Sequence, residues 1–409
     1  VDLDPAGRRA AAGAPARQEA TERGHVVTAT SATGPADAGS DGWRVDEVEL
    51  RVVRVPFRTP FRTSFGSETE KVAILATVRS EGVEGYGESV MEVLPLYREE
   101  TVAGALALLR AALVPSLLAA GAVDPRTVVD GWARWRGNPM AKATLELAVW
   151  DCHARRAGRP LRELLGGERS EIPVGASIGM APLTETVANV GRHVAQGYRR
   201  VKLKIEPGWD LEVLRAVRAE HPEIELTVDA NSAYTLDDVG VLRQLDDLAL
   251  HYVEQPLHWD DLHDHARLAT MIRTPICLDE SLTSPARVRA ALDIGACAVV
   301  NVKVGRVGGV VAVRRIHDLC VERGVPMWCG GMLELGIGRA HNIHLATMPG
   351  FTFPGDTASA SRTYARDVVE QPLEAVDGIM QVPRGPGIGV TLDRPFLDSV
   401  TESVERLRR

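Results

Sequence analysis

The chain has 409 residues, 45% of them hydrophobic and 25% charged, which is enough apolar material for a large core and argues against wholesale disorder. A net charge of −8 gives nucleic-acid binding no electrostatic support, and no uninterrupted run of 18 apolar residues predicts a membrane span. The five cysteines form no CxxC pair and no zinc-finger spacing, so they read as reduced thiols of a cytoplasmic protein.

Residues 1–42 contain eleven alanines, no aromatic residue and only four large apolar ones. Nothing there can bury a core, and a disordered extension is predicted. From residue 43 the texture becomes β, with strands predicted over Val45–Val55, Val72–Val78 and Gly82–Gly87. Helices follow over Thr101–Ala119 and Pro139–Ala157, the second opened by Asn138 as cap and Pro139 in its first turn. Residues 43–166 thus form an α+β unit.

Between 167 and 364, eight short Val/Ile-rich runs recur at roughly 25-residue intervals. They are Ile172–Ile178, Val201–Ile205, Leu226–Asp229, Tyr252–Gln255, Ile276–Asp279, Val299–Val304, Val325–Cys329 and Phe351–Phe353. Helical segments such as Leu211–Glu220 and Val310–Arg323 separate them. Eight βα units point to a closed (β/α)8 barrel, an open doubly wound sheet being the alternative. Residues 365–409 leave the repeat and are expected to return to the N-terminal unit, which would cap the barrel.

Lys and Arg total 47, yet only Lys71, Lys142, Lys202, Lys204 and Lys303 are lysines. Arginine stays protonated at any useful pH, whereas a lysine can give up its proton, so a lysine kept in so arginine-rich a chain marks candidate chemistry. Lys204, Asp229, Glu254, Asp279 and Lys303 stand near the carboxyl ends of five successive strands, 25, 25, 25 and 24 residues apart. Singly each has an ordinary reading, as a helix cap, a loop acid or a snorkelling lysine. Together, in apolar strands at the functional end of a barrel, they are costly unless they bind something. Asp229, Glu254 and Asp279 make a hard-oxygen set suited to Mg²⁺ or Mn²⁺. Lys202 and Lys204 share one side of their strand, and Lys303 approaches from the other side of the acids. A cation flanked by lysines fits proton abstraction next to a carboxylate, with the enediolate stabilised by the metal. Mutual repulsion and the cation would lower a lysine's pKa toward neutrality.

Other signals carry less. His258, His263 and His265 lie among acids that read as a solvated surface, not as a zinc site. The glycines at 305–309 and 336–338 lack the context of a phosphate loop, and Cys329 lacks a partner histidine.

The set Lys-x-Lys at 202–204, Asp-x-Asn at 229–231, Glu-Gln-Pro at 254–256, Asp-Glu-Ser at 279–281 and Lys303 resembles the muconate-lactonising subgroup of the enolase superfamily. The stretches 202–210, 301–309 and 328–339 are similar to the o-succinylbenzoate synthase / N-acylamino acid racemase family. Leu335 departs from it, standing where a small hydroxyl residue is expected. The resemblance implies Lys204 and Lys303 as acid and base on opposite faces of the substrate, with Lys202 neutralising carboxylate or enolate. It implies Asp229, Glu254 and Asp279 as Mg²⁺ ligands and Asn231, Glu280, Arg306 and Glu334 as supporting or substrate-binding residues. Pro60–Gly66 and Glu88–Tyr97 resemble the loops that close over substrate. The implied reaction is dehydration of a cyclohexadiene carboxylate to o-succinylbenzoate, a step of menaquinone synthesis. The alternatives are racemisation of N-succinylamino acids, both activities together, or a barrel that has lost catalysis and only binds. A small carboxylate substrate and a homo-oligomer are the expected partners.

Overall fold

A computed structural model describes residues 42–63 and 66–409. The expected extension falls almost wholly outside the described residues, as does part of the Pro60–Gly66 loop. The first sheet is antiparallel, in the order β14-β1-β2-β3, with β1 at Glu47–Thr63, β2 at Gly66–Ser80, β3 at Val83–Glu88 and β14 at Thr401–Arg408. Its period-2 pattern is apolar on both faces. Val48, Leu50, Val72 and Ile74 pack with Leu109, Leu113 and Leu117 of the cap helices, whereas Val53, Val55, Ala73 and Leu75 join the core that continues into the barrel. The sheet is therefore a middle layer, and the C-terminal strand completes it.

Among the described residues, Val102–Ala119 is the segment that bears on the expected absence of a membrane span. It has the length and apolarity of a spanning helix, with mean hydropathy 1.9, although no apolar run is unbroken. Its Val102, Ala105, Leu109, Leu113 and Leu117 are buried against the sheet as the stripe of a core helix. The helix Pro139–Arg156 begins as expected at Pro139, but Asn138 is not its cap. Asn138 sits at φ +52° with no side-chain cap bond. Glu100 accepts the orphan Met140 and Ala141 N–H groups instead, at 2.8 and 2.9 Å.

The second sheet is parallel and runs in chain order. Its strands are β5 (Ala176–Ile178), β6 (Arg200–Lys204), β7 (Glu225–Asp229), β8 (Val253–Glu254), β9 (Ile276–Leu278), β10 (Val299–Val302) and β11 (Met327–Cys329). The first expected run is split. Its front half, β4 (Glu171–Pro173), pairs with β13 (Ile379–Gln381), which pairs with β12 (Ala375–Val376). The eighth run is not a regular strand. Phe351 bridges to Met327 and Gly355 to Val174, so an irregular segment at 351–356 joins the two edges and closes the ring.

The register explains how groups 25 residues apart converge. Lys204, Asp229 and Glu254 are direct partners across β6, β7 and β8. Glu254 then pairs with Cys277, leaving Asp279 two residues further along. Extending the Val300–Leu278 pairing sets Asn301 opposite Asp279 and Lys303 two residues beyond. Four strand steps gain four residues, the stagger of about one per strand that an eight-stranded tilted barrel requires. Equal chain spacing thus gives equal height around the tilted ring, not equal register.

Candidate active site

The strand ends open into a cavity of about 550 Å³, roofed by Phe61, Lys71, Leu96 and Tyr97 of the cap and floored by Lys202, Lys204 and Lys303. All three floor lysines are buried. Lys204 Nζ donates to Asp229 Oδ2 at 2.7 Å and to Asn231 Oδ1 at 2.5 Å. Lys202 Nζ lies 2.8 Å from Glu254 Oε2, 3.2 Å from Asp229 Oδ2 and 2.8 Å from Asp356 Oδ2, above the Trp328 ring. Across the site Lys303 Nζ donates to Asp279 Oδ2 at 2.7 Å and to the Tyr97 hydroxyl at 3.2 Å. Gly330 makes room for it, since a Cβ there would come within 2.8 Å of Lys303 Cγ.

The expected supporting residues are brought to the same place. Asn231 Nδ2 donates to Glu280 Oε1 at 2.9 Å, and Asn301 Nδ2 to Glu254 Oε1 at 2.7 Å. Arg306 is fully buried, ion-paired to Asp279, and donates to Asn301 O at 2.5 Å and Leu282 O at 2.8 Å. Glu334 lines the cavity but spends its oxygens on the Met332 N–H and Asn342 Nδ2, both at 2.9 Å.

Burial opposes charge throughout, and the partners decide who keeps it. Burial would raise Asp229, but Lys204 and Lys202 pull its carboxyl down to about 2. Glu254 goes the other way, raised by burial and by Asp229 beside it. Burial pushes Lys202 and Lys303 down, but the surrounding anions outweigh it. Asp356, Glu254 and Asp229 hold Lys202 well above its ordinary value, and Tyr97, Glu280 and Glu254 raise Lys303 despite repulsion from Lys202.

Among the described residues no three acidic or imidazole side chains close on one point as metal ligands. Ammonium groups fill that space, bridging Asp229 to Glu254 and taking up Asp279. The donor set nevertheless fits a hard cation, being three buried carboxylates on neighbouring strands with Glu280 Oε2 buried and unpartnered beside them.

Three further residues join the site without a role read from the sequence. Tyr97, from the cap, shares its hydroxyl among Asp279, Lys303 and Arg306. Asp356, in the ring-closing segment, joins Lys202 to Arg200, which donates to it at 2.6 Å. Arg200 packs where Gly175 has no side chain. Asp356 follows the eighth predicted run by three residues and Tyr97 ends a stretch expected to close over substrate, but nothing local to either residue signals its partners. His265 is also corrected, for it is buried and accepts the Leu257 N–H at 3.1 Å in a structural bond.

Residues 46–166 match the family model "Mandelate racemase / muconate lactonizing enzyme, N-terminal domain", and residues 185–396 match "Enolase C-terminal domain-like". An N-succinylamino acid racemase of Thermus thermophilus is 53% identical over 88% of this chain and 97% of its own length. An o-succinylbenzoate synthase of Geobacillus kaustophilus is 48% identical over 89% and 98%. A crystal structure of an enolase superfamily member from Listeria innocua superposes with TM-score 0.87 at 39% identity, covering 90% of this chain and 99% of that one. With two family models spanning cap and barrel and relatives this similar over nearly their whole length, the chain belongs to the enolase superfamily, within its mandelate racemase / muconate lactonizing enzyme group.

Proposed function

We propose that this enzyme removes the proton α to a substrate carboxylate with Lys204 and Lys303, and that its reaction is o-succinylbenzoate synthesis by dehydration. The observation that carries the reading is the pair of lysines on opposite flanks of the row Asp229, Glu254 and Asp279, facing one cavity. Lys202, held protonated by three carboxylates, binds and neutralises the substrate carboxylate. One of Lys204 and Lys303 takes the α-proton onto Nζ, and a protonated lysine helps the β-hydroxyl leave as water. Enolase-type sites employ Mg²⁺. Bound by Asp229, Glu254 and Asp279, such a cation would stabilise the enediolate charge and draw the carboxylates off the ammonium groups. Tyr97 and the cap exclude water from the reacting face.

A second reading has its own support. The most similar relative named above is an N-succinylamino acid racemase, and lysines on two faces are what proton exchange between enantiomers requires. The five free cysteines and the relatives' metabolic names support a cytoplasmic setting. Assaying dehydration and racemisation on one preparation, with Mg²⁺ and after chelation, tests both readings. Turnover that disappears with chelator and returns with Mg²⁺ is expected. Undiminished turnover in chelator would remove the metal assignment, and absence of both activities in Mg²⁺ the reaction class.

A further inference from the structure

The cavity has a second cationic wall that proton abstraction does not use. Arg362 ends the short turn Ala360–Arg362 just after the ring-closing segment, and its side chain lines the cavity. Its Nη2 donates to the Ser177 carbonyl at 3.2 Å, and its guanidinium lies 5.8 Å from the centre of the Tyr198 ring. Ser177 is the register partner of Lys202, so Arg362 is anchored on the strand next to the lysine pair.

Among the described residues no carboxylate forms an ion pair with Arg362. The acids that share this side of the cavity are engaged or remote. Asp356 is held by Arg200 and Lys202, and Glu334 by Met332 and Asn342. Glu185 stands exposed at the rim. Burial and the neighbouring Arg339 guanidinium both disfavour the charge of Arg362, against attraction from Tyr198, which also hydrogen-bonds it, and from Asp356. Arg362 is half-buried, and a guanidinium partly withdrawn from water without a counter-ion carries a cost that an anion entering the cavity would offset.

We propose that Arg362 receives a second carboxylate of the substrate, the distal carboxylate of a succinyl chain, and so selects dicarboxylate over monocarboxylate acyl groups. The assignment rests on the reading above, which places the first carboxylate at Lys202. A planar fork suits the second end, because it can grip both carboxylate oxygens.

The test is calorimetric binding of N-succinyl- and N-acetyl-phenylalanine to the Mg²⁺-loaded protein, with racemisation of each measured in parallel. The wild type should prefer the succinyl ligand. Arg362→Met should reduce the succinyl-to-acetyl affinity ratio about tenfold or more, and the kcat/KM ratio equally, through KM. Arg362→Lys should restore part of it. A ratio unchanged within twofold, an equal loss on both ligands, or no binding of the succinyl ligand to the wild type would overturn the proposal. If the binding preference behaves as expected but neither racemisation nor dehydration occurs, the functional reading fails and the subsite stands.

Discussion

The two flanks of the site are built differently. On the β6 flank, Lys204 faces Asp229 and Asn231, all from the barrel, and each comes from a strand end in direct register or just beyond it. On the β10 flank, Lys303 and Asp279 are joined by the Arg306 guanidinium and by Tyr97, which arrives from the cap 182 residues before Asp279. One lysine is therefore positioned by the barrel alone, while the other is complete only when the cap is seated. The contrast separates what the ring supplies from what closure supplies.

The largest effect should come from removing the ability to lose a proton. Lys204→Arg and Lys303→Arg should each lower kcat by about 10³-fold, since a guanidinium cannot serve as base. Steady-state kinetics of both variants checks this. Retention of more than a tenth of wild-type turnover would mean that the lysines act only through charge. Tyr97→Phe should be smaller and one-sided. Losing the hydroxyl shared by Asp279, Lys303 and Arg306 should cost about 1.5 kcal/mol, or roughly tenfold, in the step that Lys303 performs. Proton exchange through Lys204 should fall less, and equal losses on the two faces would erase the distinction between the flanks.

The acids and lysines of both flanks are legible in the sequence because a parallel barrel repeats. A 25-residue period with an ionisable group at each strand end leaves little freedom over where they meet. What reading along the chain misses lies off that period. Asp356 sits in a closing segment too irregular to be a strand, and Tyr97 in a cap loop whose approach depends on the whole sheet packing. Charge state was also hidden. Composition, mutual repulsion and a bound cation favour lowered lysine pKa values, whereas Asp356 and Glu254 beside Lys202, and Tyr97 and Glu280 near Lys303, act to raise them. Asn138 likewise gives up the capping role its position suggests, because the distant Glu100 supplies the cap.

The smallest expected effect concerns the seam between cap and barrel. Glu88, at the end of β3, accepts the Leu335 and Gly338 N–H groups at 2.7 Å each, at the start of the barrel helix Gly336–Leu345. Glu146 of the cap accepts the Val311 N–H at 3.0 Å in the same way, and Gly309 at φ +109° leaves space for it. Burial pushes Glu88 up to about 8, against the pull of those N–H groups. A carboxyl raised on folding contributes stability below its ordinary pKa and loses it as pH rises through the raised one. Compared with Glu88→Gln, the wild type should therefore lose about 5 °C of Tm between pH 5 and pH 9. A constant difference across that range would show that Glu88 folds in as the carboxylate.

The most direct test of the two-flank account is deuterium exchange of each enantiomer of an N-succinylamino acid in D₂O, followed by NMR. If Lys204 and Lys303 address opposite faces of the α-carbon, Lys204→Ala abolishes exchange of one enantiomer and spares the other, and Lys303→Ala does the reverse. Loss of exchange from both enantiomers in either variant, or from the same enantiomer in both, would contradict it.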